Sequence, residues 1–395
     1  HTETVFRVIS PAARSGIRAS FVLAIGRAMG ETMAVVMVAG NAAAFPRGLF
    51  SSFRVLTANI VMEMGYAGEV QEGALIATGV VLLLLILAVN LIFGLTSGRI
   101  VRRTTEKNVS RRGGMTLLPP KLLRGFAVAS GALTGGVLVL LIGFVLIRGV
   151  PVLVRDPSIL YGRFEFGSSD ITVLPALIST LWAVVLSLAF AVPVGIMTAI
   201  WLHEYAPRNG LATRVLRGAI DLLAGVPSIV YGLFGMIAFV PLFGGSGSIL
   251  AGSLTVSLML LPVVMRSTEE SLRAVPDALR EGSLALGAGK LRTVFRVVLP
   301  SALPGILSAV ILSMVRVIGE SAPLLYTMGS VIKAVPHGIF DSGATLAVAL
   351  WQLSGEGWYI NEAYATAVIL VVLVLLLNFI ARLCAARLGK RMKGV

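Results

Sequence analysis

Apolar residues in this chain gather in long blocks without period-two alternation, near 15–40, 73–97, 126–148, 174–202, 218–242, 248–266, 303–330 and 363–387. Each block holds roughly 20 residues, enough to cross a hydrocarbon core about 30 Å thick. A backbone in lipid must satisfy its hydrogen bonds within its own segment, so unalternating blocks predict helices rather than a barrel. The expected fold is all-α, a polytopic transmembrane helical bundle of about eight spans. One polar stretch is also patterned. Val275, Leu279 and Leu286 fall on one helical face, Pro276 suits a first helical turn, and Gly287 can take the left-handed conformation that stops a helix. A second amphipathic stretch, Val294 to Leu299, leads to Pro300, which predicts helix, turn and helix at the bilayer surface.

Composition agrees with lipid as the main solvent: 56% of residues are hydrophobic and 13% charged, against about 25% charged in soluble domains. The net charge of +14 raises nucleic-acid binding, but no basic face on a folded module is visible. Placement of the charges explains them better. Arg99, Arg102, Arg103, Lys107, Arg111, Arg112, Lys121 and Arg124 face the single acid Glu106, and Arg382, Arg387, Lys390, Arg391 and Lys393 crowd the tail. The positive-inside rule makes both stretches cytoplasmic. Threading from them puts 203–217 and 267–302 inside as well, and 41–72, 149–173, 243–247 and 331–362 outside.

Residues 4–40 align with 293–329 at a shift of 289, with 14 identities that include Arg7/Arg296, Pro11/Pro300, Gly16/Gly305, Arg27/Arg316, Gly30/Gly319 and Glu31/Glu320. Chance predicts roughly one match in ten in so apolar a composition, so the unit is duplicated. A shift of 288 extends the likeness, pairing Ala77, Thr78 and Asn90 with Ala365, Thr366 and Asn378. Both copies run the same way and end in a basic stretch, which implies two similar halves with a passage between them. The expected division is 1–98, two spans of a half whose earlier helices are missing; 99–124, a basic cytoplasmic linker containing Gly113, Gly114, Pro119 and Pro120; and 125–395, six spans. The histidine start and the lack of a signal-like leader also suggest residues upstream of His1.

Chemistry-bearing residues are few. Arg27 and Glu31, and again Arg316 and Glu320, sit four apart inside apolar blocks, where a lone charge is costly and each pair can share one helical face. Such a pair can offer forked donors to an oxyanion without holding it too tightly to leave, or it can lock helices together. Asp221, four residues after Arg217, reads as half of an anchoring pair, and His203 with Glu204 as a solvated span end. Pro193, Pro227, Pro262 and Pro323 read as kinks, and the glycines of 232–235 and 244–248 as packing and turn residues. The one cysteine, Cys384, excludes an internal disulfide, and His1, His203 and His337 are too scattered for a metal site. A phosphate-binding loop needs a hydroxyl after its Gly-Lys, but Leu291 follows Gly289 and Lys290, so no nucleotide site is expected. No nucleophile elbow or zinc-binding histidine pair is present either, so the chain does not read as an enzyme.

The 270–300 loop resembles the EAA loop of ABC importer permeases: Glu281 matches its first position, Gly287 its glycine, and Val297, Leu299 and Pro300 its ending. Gly282 and Ser283 replace the usual alanines, and in the first copy only Val8, Ile9, Ser10 and Pro11 echo the ending. Residues 225–235, 260–287 and 316–325 are similar to the PstA permeases of bacterial phosphate-specific transport systems, and residues 26–41 to the end of the PstC permeases. The resemblance implies a plasma (inner) membrane permease whose N-terminal edge, linker and C-terminus are cytoplasmic. It implies that the loop docks on an ATP-binding subunit, present in two copies, which alone binds ATP and Mg, and that an external binding protein delivers phosphate. It places Arg27, Glu31, Arg316 and Glu320 along the solute's route. No cofactor or metal on this chain and no nucleic-acid partner are expected; membrane lipid surrounds it. Two rivals stay open: another oxyanion such as sulfate, molybdate or phosphonate, and a membrane scaffold in phosphate sensing.

Overall fold

The computed structural model describes residues 24–25, 28–48, 50–105, 120–162, 172–207, 210–332, 334–355, 357 and 359–393. In chain order the helices are α1 (Met33–Val38), α2 (Leu56–Met64), α3 (Glu69–Thr105), α4 (Pro120–Arg155), α5 (Leu174–Ile200), α6 (Leu211–Leu223), α7 (Ser228–Ala238), α8 (Ile249–Arg273), α9 (Asp277–Ala285), α10 (Leu299–Gly319), α11 (Ala322–Thr327), α12 (Leu346–Gly355) and α13 (Ile360–Lys393). The chain is a polytopic membrane protein. Among the described residues, six helices, built on α3, α4, α5, α8, α10 and α13, are long and apolar enough to cross a membrane. The block 218–242 is no straight span: α6 and α7 meet at 106°, and Pro227, expected as a kink within a helix, instead precedes α7 at the bend. Of the block 15–40, residues 15–23 and 26–27 lie outside the described residues.

Helix α8 is the innermost spanning helix, packed by α5, α10, α7 and α11. Small residues permit this. On α5, Ala183, Ser187, Ala191, Gly195 and Ala199 recur every fourth position and are all buried, and a β-carbon on Gly195 would meet Val264 of α8. Ser187 Oγ donates to the Ser253 carbonyl at 3.1 Å, and Ser257 Oγ donates to the Ser187 carbonyl, also at 3.1 Å. In lipid, where neighbouring tails are as apolar as leucine, this close approach and these bonds are what favour helix on helix over helix on lipid. Helix α4, by contrast, packs on α13 and is otherwise exposed, as a helix facing acyl chains should be.

The duplication is written in the backbone. Helix α10 ends at Gly319 and α11 resumes at Ala322; in the first copy the chain leaves its helix after Gly30, and α1 starts at Met33. Glu31 N donates to the Ala28 carbonyl at 3.4 Å, and Glu320 N to the Val317 carbonyl at 3.2 Å, the same bond in both copies. Each short helix ends before a glycine with positive φ, Gly40 at 78° and Gly329 at 144°. The block 303–330 is therefore broken near its middle. Proline is not the sole cause, because Ala34 stands where the second copy has Pro323.

The stretch expected to be a linker is entered by helix from both sides, α3 running to Thr105 and α4 starting at Pro120. Residues 106–119 lie outside the described residues.

Candidate functional site

Helices α8 and α10 approach closely where Gly305 lies against Ser271, and both residues help to line an open groove of about 430 Å³ between the helices. Small and hydroxyl residues line much of it, among them Ser267, Ser271, Ser301, Gly305 and Ser308, with the carboxylate of Glu270 also present. Ser301, Gly305, Ser308 and Leu312 follow one face of α10 at steps of three and four. One further turn along that face stands Arg316.

Arg316 and Glu320 do come together, but not as two rungs of one helix. Glu320 is the residue just past the end of α10, in extended backbone (φ −80°, ψ 131°), and its carboxylate turns back to accept from Arg316 Nε at 3.4 Å. Both side chains are partly exposed, 31% and 17% respectively. This is a long contact through one nitrogen rather than a fork, so the two terminal nitrogens stay outside it. In the first copy Glu31 is exposed at the equivalent break; Arg27 lies outside the described residues, as do Val8, Ile9, Ser10 and Pro11.

The patterned loop is helix, turn and helix. Helix α9 is closed by Leu286 N to the Gly282 carbonyl and Gly287 N to the Leu284 carbonyl, and Gly287 takes φ +84°. The chain then re-enters through a short helix, Lys290–Thr293, and a π-helical turn, Val294–Val298. Ser283 Oγ and Thr293 Oγ1 lie 2.9 Å apart and clasp the two arms. Beneath the loop a small core joins Ile200, Leu272, Val275, Val294, Val298, Ala302 and Ile306. Of the three residues expected on one apolar face, only Val275 is in that core. Leu279 is 44% and Leu286 91% exposed, beside exposed Leu284 and Leu291. Glu281 is exposed on the same helix, and Val297, Leu299 and Pro300 are half-buried where the chain enters α10.

Two polar expectations are overturned. Glu204 is not solvated: its side chain is 8% exposed and accepts from Arg280 at 2.9 and 3.1 Å. Asp221 pairs with Arg266 of α8, while Arg217 pairs with Glu269 at 2.9 Å. Both partners of α6 are on α8, with which α6 is in contact. The distances along the chain, 45 residues for Asp221 and Arg266 and 76 for Glu204 and Arg280, put these pairs beyond any local pattern.

Residues 191–394, which include the groove, Arg316 and the loop, match the family described as binding-protein-dependent transport system inner membrane component. The chain belongs to that family. It is 32% identical over 295 residues to the probable ABC transporter permease protein YqgI of Bacillus subtilis (strain 168), covering 69% of this chain and 97% of that protein. It is 42% identical over 209 residues to the phosphate transport system permease protein PstA of Mycobacterium leprae (strain TN), covering 52% of this chain and 68% of that protein. Among solved structures, the MetNI methionine ABC transporter in an inward-facing conformation is similar at 21% identity and a TM-score of 0.46, over 55% of this chain and 94% of that one.

Proposed function

We propose that this inner membrane component is a permease subunit of an ATP-driven importer of inorganic phosphate. The observation that carries the reading is the face of α10, where a groove of small and hydroxyl residues leads toward Arg316 at a broken helix. The relatives named for phosphate transport support the choice of solute.

A phosphate leaving water for the bilayer loses hydration, and a guanidinium with free forked nitrogens returns part of it. Glu320 holds that charge through one nitrogen, which tempers the attraction. Serine hydroxyls now bonded to their own helix, such as Ser301 to the Val297 carbonyl at 2.7 Å and Ser308 to the Pro304 carbonyl at 2.9 Å, can turn to donate to a passing oxyanion. The carboxylate of Glu270 opposes residence, which suits a route rather than a store. By the duplication, Arg27 and Glu31 contribute the same device from the other lobe. The exposed leucines of the loop make the surface on which ATPase subunits, two per transporter, press from the cytoplasm; ATP and Mg belong to them. An external binding protein delivers phosphate on the far side.

The test is uptake of radiolabelled phosphate by the complete transporter in proteoliposomes, with sulfate, molybdate and phosphonate as competitors. Phosphate alone should compete strongly. Uptake indifferent to phosphate but blocked by another oxyanion would overturn the solute, and a complex that signals phosphate status with no flux would favour the scaffold.

A further inference from the structure

The loop is held from beneath by two consecutive residues of one π-helical turn, Trp201–Tyr205, which continues α5. Glu204 takes the first arm. Arg280 of α9 donates to Glu204 Oε1 through Nε at 3.1 Å and Nη2 at 2.9 Å. The same guanidinium donates to the Leu272 carbonyl at 2.8 Å, the Val275 carbonyl at 2.8 Å and Asp277 Oδ1 at 3.1 Å, which ties in the end of α8. Tyr205 takes the second arm, with Lys290 Nζ lying 4.9 Å from its ring centroid. The side chains of Arg280 and Glu204 are only 14% and 8% exposed, so water and salt weaken their attraction little.

A buried ion pair is a poor source of stability, because removing both charges from water costs about as much as their attraction returns. It is a good joint, since a fork of short bonds transmits displacement with little slack. The π-helical turn places it suitably, being a local distortion of the kind that recurs at functional sites. From here α5 runs on through its buried small-residue face against α8.

We propose that Glu204 and Arg280, seconded by Tyr205 and Lys290, form the joint that carries displacement of the loop into α5, so that breaking it uncouples ATP hydrolysis from transport. They are positioning residues, touching neither solute nor nucleotide, and the inference rests on the reading of the chain as a permease driven by an ATPase.

The experiment uses the complete transporter, comparing wild type with Glu204→Gln, which keeps the shape and removes the charge. Phosphate moved per ATP hydrolysed should fall about tenfold while binding-protein-stimulated hydrolysis holds, as expected for a coupling residue. Parallel loss of both activities, or no change in the ratio, would overturn the joint. Should Glu204→Gln fail to assemble, Lys290→Ala removes only the second contact; it should lower the same ratio, Lys290→Arg should restore it, and an unchanged ratio in Lys290→Ala would count against the joint. A readout independent of the solute separates this inference from the phosphate reading. Spin labels at Ala278, exposed on α9 and outside the leucine surface, and at Val185, exposed on α5, should keep one separation with and without ATP in wild type and two separations in Glu204→Gln. Equal changes in both proteins would dismiss the joint even if phosphate uptake stands, and a constant wild-type distance with no phosphate uptake would dismiss only the solute.

Discussion

At the scale of single residues, the arginines divide by how completely they are bonded. Arg280 meets five acceptor contacts and is 14% exposed, whereas Arg316 spends one nitrogen on Glu320 and is 31% exposed. The first arrangement holds elements together; the second keeps donors available. Arg316→Gln should therefore reduce phosphate uptake by about a hundredfold, on the order of the energy of a charged hydrogen-bond pair, with normal amounts of assembled complex in the membrane. Transport assays alongside quantitative immunoblots check this. The spacing of Arg316 and Glu320 was legible in the sequence, but the helix break between them was not, because four residues apart looks the same whether the helix continues or ends. Glu204 showed the reverse error: a lone acid at a span end looks solvated until the loop folds over it.

Among elements, the governing fact is how close two helices come. Gly305 is where α10 touches Ser271 of α8, and the groove opens beside that contact. Gly305→Val should push the helices apart and destabilise the bundle by about 1–3 kcal/mol, the usual cost of overpacking; a lower midpoint in thermal unfolding of the detergent-solubilised protein measures it. The turn after α9 makes a sharper case. At φ +84°, Gly287→Ala should cost about 1–2 kcal/mol of loop order and show as faster backbone hydrogen exchange across 277–293, with exchange in the core of α8 unchanged. The loop's helix, turn and helix followed from Pro276, Gly287 and the apolar pattern. Its exposed leucines did not, because periodicity identifies a face but not whether that face meets its own protein, another protein or water.

For the whole molecule, the duplicated unit gives matched breaks at Gly30 and Gly319, and the first part of the chain packs on the second. A β-carbon on Gly30 would lie 3.2 Å from the Pro227 α-carbon, and Tyr326 Oη donates to the Val61 carbonyl at 2.8 Å. At the loop end, exposed Leu279, Leu284, Leu286 and Leu291 form the face proposed above to meet the ATPase. Leu286→Glu should release the ATPase from the membrane complex without lowering the permease's own thermal stability, because that side chain is 91% exposed; pull-down of the ATPase with the solubilised permease reads the loss. A burden of unbroken apolar residues and so little charge leaves a chain one stable environment, and in lipid the backbone must close its own hydrogen bonds, so the sequence alone determined that spanning helices form, about where they lie and that a unit repeats. Which charges pair, where a helix stops short and which leucines stay uncovered were decided by the tertiary structure, since each depends on groups brought together from 45 to 76 residues apart or on the space left when helices cross.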